Sequence, residues 1–244
     1  MKKRIETLKN EFRKYAIDGY VIPKNDDFFS EYSKINRLKI ISNFSGSAGL
    51  GIILKDKNYL FTDGRYTIQS EMESGKYFKI INYEKIINCK LFKNLKLGLD
   101  PKLFTYAQIK KYFLNQNKVK FISNNLIDKI KTEKISNNAP FFSLKNEITG
   151  EHRSSKINRI INYLKKKKAD NLFITAPENV AWILNIRGND GPNSPIPNCR
   201  LIINKSKKIF LIAEPHKAKI LIKEKIINKN QLINTLDLPK KILL

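Results

Sequence analysis

The sequence predicts an α/β protein made of two tandem, homologous domains, each a mixed sheet flanked by helices. The chain has 244 residues, 41% of them hydrophobic and 28% charged, which suits two globular domains of ordinary size. The strongest observation is an internal repeat. One order of helix, strand, glycine-containing turn and hairpin occurs twice, about 150 residues apart.

Each copy begins with an amphipathic helix. Ile5, Leu8 and Phe12 are spaced three and four residues apart, as on the buried stripe of a helix. The second copy has the same pattern, which consists of Ile157, Ile160 and Leu164.

A buried strand, a polar turn and a β-hairpin are predicted next in both copies, from short apolar runs separated by turn-forming residues. In the first copy the strand is at 20–22, the turn at 43–46, and the two strands of the hairpin are at 52–54 and 59–61. In the second copy they are residues 172–174, 185–188, 201–203 and 209–211.

The first copy contains further predicted elements, and the second copy is shorter. The elements are a helix at 68–74, strands at 77–83 and 95–99, a helix at 106–114 and a strand at 119–122. A stretch rich in turn formers, residues 136–150, separates a first domain at 1–140 from a second at 151–244. Residues 239–244 occupy the place of the 95–99 strand, so the second domain is expected to be incomplete and to leave apolar area exposed.

The charge of the chain is strongly positive but does not predict a polyanion partner. There are 47 Lys and Arg against 22 Asp and Glu, a net charge of +25. Lysine greatly outnumbers arginine, and a lysine, isoleucine and asparagine bias runs through the whole chain, which indicates genome composition. Nucleic-acid readers favour clustered arginines, so nucleic acid is not expected as a partner.

Targeting signals are also missing from the sequence. The first residues are charged throughout, and no stretch approaches the ~18 apolar residues of a membrane span. Cys89 and Cys199 are far apart and form no zinc or disulfide motif. We therefore expect a soluble cytoplasmic protein that does not interact with a membrane.

No complete active site is predicted from the residue types. His152 and His216, the two histidines, have no partner at metal-ligand spacing, and no serine or cysteine has a recognisable base. The glycines of residues 46–51 precede a strand, not a helix, so a phosphate-binding loop is not expected.

One candidate site is confined to the first copy, where the hairpin ends in Asp63-Gly64-Arg65-Tyr66. Arginine at such a turn can bind a carboxylate or a peptide carbonyl. The alternative is structural, with Asp63 accepting backbone N–H groups or pairing with Arg65.

A second candidate lies in the stretch 179–190 of the second copy. Arg187 and Asp190 flank a glycine and could either pair with each other or face a cleft. Trp182 and Ile186 are four residues apart, so both are predicted on one helix face in the core.

Residues 43–70 and 174–203 resemble a known family. The first closely resembles the signature of the first domain of Xaa-Pro aminopeptidases, which have creatinase-like N-terminal domains. The second resembles the second non-catalytic domain of the three-domain members, with Trp182 and residues 185–188 at the family's Ala-Trp and Asn-Arg-Gly positions. The resemblance covers residues 1–216.

The resemblance implies a cytosolic-type metallopeptidase that removes an N-terminal residue preceding proline. In that family a C-terminal domain holds two divalent ions, usually manganese, through two aspartates, a histidine and two glutamates. That domain has no counterpart in these 244 residues, so we expect the chain itself to hold no metal or other cofactor and to be inactive alone.

The leading hypothesis is therefore an N-terminal, non-catalytic portion that shapes the substrate cleft. Arg65 is expected to contact a peptide with proline at its second position, and Asp63 and Tyr66 are expected to hold the turn. The next candidates for substrate contact are Arg187 and Asp190. The expected partners are the catalytic domain or a second copy of the chain. The alternatives are a free-standing module that binds protein or peptide, and a polyanion binder.

Overall fold

The structure, a computed structural model, describes residues 1–30, 35–87, 89–130, 139–220, 224–236 and 241–243. The chain divides into two compact units, Met1–Ile135 and Ser136–Leu244. Residues 136–138 of the expected linker, and 239–240 and 244 of the expected last strand, lie outside the described residues.

The first unit contains the predicted helices and strands in order, together with a helix at Arg37–Ser42 that was not predicted. Its elements are α1 (Lys2–Tyr15), β1 (Gly19–Pro23), α2 (Arg37–Ser42), β2 (Leu50–Leu54), β3 (Asn58–Thr62), α3 (Thr67–Ser74), β4 (Lys79–Asn82), β5 (Lys96–Leu99), α4 (Tyr106–Ile109) and β6 (Lys118–Phe121). A short 3-10 helix at Gly64–Tyr66 joins β3 to α3. The helix predicted at 106–114 changes at Lys110 from α to π geometry.

The described strands of the first unit form one mixed sheet in the order β4-β3-β2-β1-β5-β6. β1 and β2 are antiparallel, while β1 and β5 are parallel. Both faces of the sheet are covered: Tyr20 and Ile22 pack with α1 and α2, and Val21 packs with the opposite layer. Alternate residues of one strand therefore point into two different cores.

The second unit repeats this plan. Its elements are β7 (Phe142–Ser143), α5 (Asn146–Thr149), α6 (Arg153–Lys166), β8 (Asn171–Ile174), α7 (Pro177–Leu184), β9 (Ile186–Arg187), β10 (Arg200–Asn204), β11 (Ile209–Ile212), β12 (Lys225–Ile227), α8 (Leu232–Leu236) and β13 (Ile242–Leu243). The five-stranded sheet has the order β12-β11-β10-β8-β13, the same as β4-β3-β2-β1-β5. Among the described residues of this unit, nothing corresponds to β6.

The strand register corrects one detail of the repeat. Val21 lies opposite Ile52 and Phe173 lies opposite Ile202, so Ile52 corresponds to Ile202 and not to Leu201. A shift of one residue in a strand moves its side chains to the opposite face. Apolar residues on both faces had hidden this shift, because each strand is buried on both sides.

The two faces of the second sheet are covered unequally. One face belongs to a large cluster that includes Ile157 and Ile174. On the other face Ile202, Ile212 and Ile227 form a small buried cluster with Phe173 and a few other partly buried residues. The part of the chain that the structure describes contains no helix long and apolar enough to cross a membrane.

Candidate functional site

The first candidate site is the turn that follows β3. Asp63 has an extended backbone and caps the 3-10 helix, because its Oδ1 accepts a hydrogen bond from the Arg65 backbone N–H at 3.0 Å. Aspartate is favoured at such caps because its short side chain reaches the backbone N–H two residues on. The turn therefore has the local hydrogen bond that the sequence suggested.

Arg65 is held by Asp63 but remains accessible. Its Nε and Nη2 donate to the two carboxylate oxygens of Asp63, at 3.1 and 2.7 Å, and its Cζ lies 5.2 Å from the Tyr66 ring centroid. The side chain of Arg65 is 68% exposed. The hydrogen bonds from Arg65 lower the pKa of the Asp63 carboxyl below its ordinary value. Asp63 and Arg65 therefore pair with each other, as the structural alternative supposed. This pairing also gives the guanidinium a defined orientation.

Tyr66 anchors the turn to the preceding loop. Its hydroxyl lies 2.8 Å from Ser47 Oγ, and its ring meets the edge of Phe44 with centroids 5.8 Å apart. Gly46 sits between these rings, where a Cβ would come within 2.3 Å of Phe44 and 2.9 Å of Tyr66. A glycine is needed at this close approach.

A polar network beside this turn was not predicted. Glu73 accepts hydrogen bonds from the Ser45 backbone N–H and Oγ, at 2.7 and 2.6 Å, and Gln69 Nε2 donates to Ser45 Oγ at 2.7 Å. Burial alone would raise the pKa of Glu73, but these hydrogen bonds lower it. The contacts join residues 24 and 28 positions apart, and no local pattern in the sequence signals them.

The second candidate pair lies in the other unit, and the structure does not pair its members. Arg187 Nη1 donates to the carbonyl oxygens of Ala181 and Ile186, at 3.3 and 2.8 Å. Asp190 instead accepts from Lys217 Nζ at 2.7 Å and from the Asn198 backbone N–H at 2.7 Å. The Asp190 side chain is 3% exposed, so this carboxylate organises the interior of the second unit.

The prediction that Trp182 lies in the core is wrong. α7 ends at Leu184, Asn185 adopts a left-handed φ of 54°, and Ile186 enters β9, so Trp182 and Ile186 do not share a helix face. Ile186 is fully buried, whereas Trp182 is 51% exposed. The ammonium of Lys156 lies 4.1 Å from the centroid of the Trp182 ring.

Metal ligands and reactive thiols do not gather in the described residues. Within them, no group of three or more His, Cys, Asp or Glu could hold a metal ion. Cys199 is buried, and burial raises its pKa well above that of an ordinary thiol, which leaves it unreactive.

The comparisons with known proteins give the chain a family. Two family models, both described as Creatinase/Prolidase N-terminal domain, match residues 4–130 and 132–238. The chain belongs to this family. The creatinase/prolidase N-terminal fold thus occurs twice in tandem, in agreement with the duplicated topology and with the resemblance of the sequence.

Several relatives of this family match most of the chain. Xaa-Pro aminopeptidase 1 of Dictyostelium discoideum is 31% identical over 236 residues, covering 87% of this chain and 38% of the relative. Xaa-Pro aminopeptidase ApepP of Drosophila melanogaster is 28% identical over 213 residues, covering 81% and 35%. The chain therefore spans little more than a third of the length of these relatives.

A solved structure supports the fold. X-prolyl aminopeptidase of Caenorhabditis elegans, described as a cytosolic enzyme with a di-nuclear active site, matches with a TM-score of 0.83 and 24% identity. The match covers 96% of this chain and 43% of that enzyme. Both creatinase/prolidase N-terminal units are included in it.

Proposed function

We propose that this chain is the non-catalytic N-terminal portion of a cytoplasmic Xaa-Pro aminopeptidase and that it shapes the cleft through which peptides reach a catalytic domain. The Xaa-Pro aminopeptidase relatives and the tandem family domains support this proposal. The substrate is a peptide with proline at its second position. The divalent ions, usually manganese, belong to the catalytic domain and not to this portion.

The observation that carries the proposal is the Arg65 turn. The guanidinium is accessible, and Asp63 and Tyr66 fix its position before any substrate arrives. Such preorganisation reduces the entropy lost on binding. A peptide carbonyl or a C-terminal carboxylate is the group that this guanidinium would bind.

A chimera tests the proposal. The segment of the Dictyostelium relative that aligns with this chain is replaced by this chain, and release of the first residue from Xaa-Pro peptides of increasing length is measured. We expect an active chimera, because the two segments share family and fold. Replacing Arg65 by alanine should lower kcat/KM about tenfold, equivalent to ~1.4 kcal/mol of binding.

The matched control is Arg13→Ala, which removes an exposed arginine from α1. This variant should leave kcat/KM unchanged. If Arg65→Ala behaves like Arg13→Ala in a folded chimera, Arg65 does not contact the peptide. If the catalytic portion alone has the same kcat/KM as the chimera for peptides of every length, the cleft-shaping role is refuted.

A further inference from the structure

Helix α3 has its polar and apolar sides reversed. The side chains that it buries are those of Ser70 and Ser74, at 0% and 1% exposure. Its large apolar side chains, Ile68 and Met72, are instead 78% and 83% exposed. A helix at the surface of a globular protein normally buries its apolar residues, so packing within the first unit does not account for isoleucine and methionine at these positions.

Ile68 and Met72 form one apolar surface beside Arg65. They are four residues apart on α3 and therefore lie on the same face of the helix. Arg65 precedes Ile68 by three residues, in the 3-10 turn that leads directly into α3, and its side chain is exposed as well. We call these three residues the α3 face. Single exposed apolar residues are common, whereas methionine and arginine side by side with a second apolar residue are typical of binding surfaces.

The α3 face belongs to a helix that is tied to its surroundings at several points. The hydrogen bonds from Ser45 to Glu73 and from Gln69 to Ser45 join α3 to the loop before β2. Ser74 Oγ donates to the carbonyl oxygen of Ser42 at 2.8 Å, which joins the last turn of α3 to α2. A surface that is already ordered costs a ligand less entropy on binding.

The spacing of the α3 face fits an extended peptide. Residues four apart on a helix are displaced by about 6 Å along its axis. In an extended peptide, side chains on one side recur about every 6.6 Å, two residues apart. Two apolar side chains of such a peptide can therefore contact Ile68 and Met72 at the same time. Arg65 lies at the end nearer to Ile68, where it can bind the terminal carboxylate of that peptide.

The charges at the two ends of the α3 face set the direction of the peptide. A guanidinium binds a carboxylate through charge-assisted hydrogen bonds, which are stronger than hydrogen bonds to a neutral carbonyl. Asp63 accepts from Nε and Nη2 of Arg65, and the arginine side chain stays mostly exposed. Glu71, next to Met72, is exposed and carries the opposite charge. A peptide with its carboxylate at Arg65 and its ammonium end beyond Met72 complements both charges.

We propose that the α3 face binds the C-terminal segment of a peptide substrate. The terminal carboxylate binds Arg65, the side chain of the last residue packs on Ile68, and the side chain two residues before it packs on Met72. The inference rests on the proposed function, because the peptide is the substrate of that function. It adds a preference for substrates with apolar residues at these two places.

The test uses the two methionines of the chain. The full chain is labelled with ¹³C at the methionine methyl groups, and Met72→Leu identifies the signal of Met72. The probe is the peptide Ala-Pro-Leu-Gly-Leu, which has proline at its second position and leucines at its last position and two before it. Adding this peptide should move the Met72 signal saturably and leave the Met1 signal in place.

Altered peptides and variants of the chain separate the individual contacts. Amidation of the C-terminal carboxylate should weaken binding about tenfold, and so should the serine peptide Ala-Pro-Ser-Gly-Ser. Arg65→Ala and Ile68→Ser in the chain should each have an effect of the same size. The matched control is Ile148→Ser in the second unit, because Ile148 is a similarly exposed isoleucine, at 71%. This variant should bind the peptide as the original chain does.

The inference is overturned if the Met72 signal does not move at millimolar peptide. It is also overturned if the amidated and serine peptides bind as tightly as the original peptide, or if Ile68→Ser weakens binding no more than Ile148→Ser does. A Met72 signal that moves on dilution of the chain alone would overturn it as well, because a second copy then covers the α3 face.

The binding measurement needs no catalytic domain, so the two proposals fail separately. A chimera indifferent to Arg65→Ala, together with a Met72 signal that responds as expected, would refute the proposed function and leave peptide binding by the α3 face. An active chimera that depends on Arg65, together with a Met72 signal that does not respond, would refute the inference alone.

Discussion

At the residue scale, the duplication distinguishes framework residues from candidates for function. Asn43 and Asn185 each end a helix with a left-handed backbone, at φ values of 66° and 54°. Each accepts a hydrogen bond from a cation on the long helix before the central strand of its unit, Arg4 of α1 or Lys156 of α6. A contact made twice in the same place holds helices together, whereas the Arg65 turn is made once.

Replacing Arg65 by alanine should change stability little. The side chain is 68% exposed, and changes at exposed sites usually shift the free energy of unfolding by less than about 0.5 kcal/mol. Arg37→Ala is the comparison, because this arginine also binds an aspartate through two hydrogen bonds but is 13% exposed; it should cost about 1.5–3 kcal/mol. Urea denaturation of both variants measures this, and an equal loss would assign Arg65 a structural role.

Replacing Lys217 by methionine should destabilise the second unit strongly. The side chains of Lys217 and Asp190 are 11% and 3% exposed, and removing one partner of a buried ion pair costs about 3–5 kcal/mol. Burial alone would lower the pKa of Lys217, but the hydrogen bond and charge of Asp190 raise it above the ordinary lysine value.

The pH dependence of this loss follows from the raised pKa. The stabilisation is fully present below the ordinary lysine pKa of about 10.4 and is lost as pH rises through the raised value. The free energies of unfolding of the original chain and of Lys217→Met should therefore differ by a constant amount around neutral pH. In strong alkali the two free energies should converge. Lys219→Met, at an exposed site, should show neither effect, and a Lys217→Met chain of unchanged stability would refute the role of the pair.

At the scale of elements, the loop before β2 and the turn after β3 pack against each other. Thr62 Oγ1 donates to the Ala48 carbonyl oxygen at 2.8 Å, and Ser47 lies against Tyr66. The loop and the turn are brought together because β2 and β3 are antiparallel neighbours. The position of Arg65 thus depends on the loop as well as on its own turn.

Gly46→Ala should therefore destabilise the first unit. The added methyl group would meet Phe44 and Tyr66, and overpacking of this kind costs about 1–3 kcal/mol. Gly64→Ala is the control from the turn itself, since a Cβ there meets nothing within 4 Å. Thermal unfolding should show a clear loss for Gly46→Ala and almost none for Gly64→Ala; equal losses would mean that loop and turn are not packed as described.

At the scale of the whole molecule, the two units have the same topology but unequal cover. The first sheet has large buried clusters on both faces. The second has a large cluster on one face and a small one on the other. Because stability comes mainly from buried apolar area, the units should unfold separately and at different temperatures.

Residues 1–135, expressed alone, should fold and unfold cooperatively, while residues 136–244 should have the lower melting temperature. Calorimetry of the two fragments and of the whole chain checks this. Limited proteolysis should cut before Phe141, because Phe141 is 1% exposed in the core of the second unit. The prediction fails if the first fragment melts without a cooperative transition or if the second proves the more stable.

The sequence by itself determined the class of fold, the duplication and the order of elements, because helix and strand periodicity are local properties. It also offered the Asp63–Arg65 pair, whose members are two residues apart, as the structural alternative for this turn. The partners of Asp190, the one-residue register of β10 and the exposure of Trp182 were decided by tertiary structure. Each of these depends on which distant segment packs against the residue. The spacing of apolar residues along the sequence does not specify that segment.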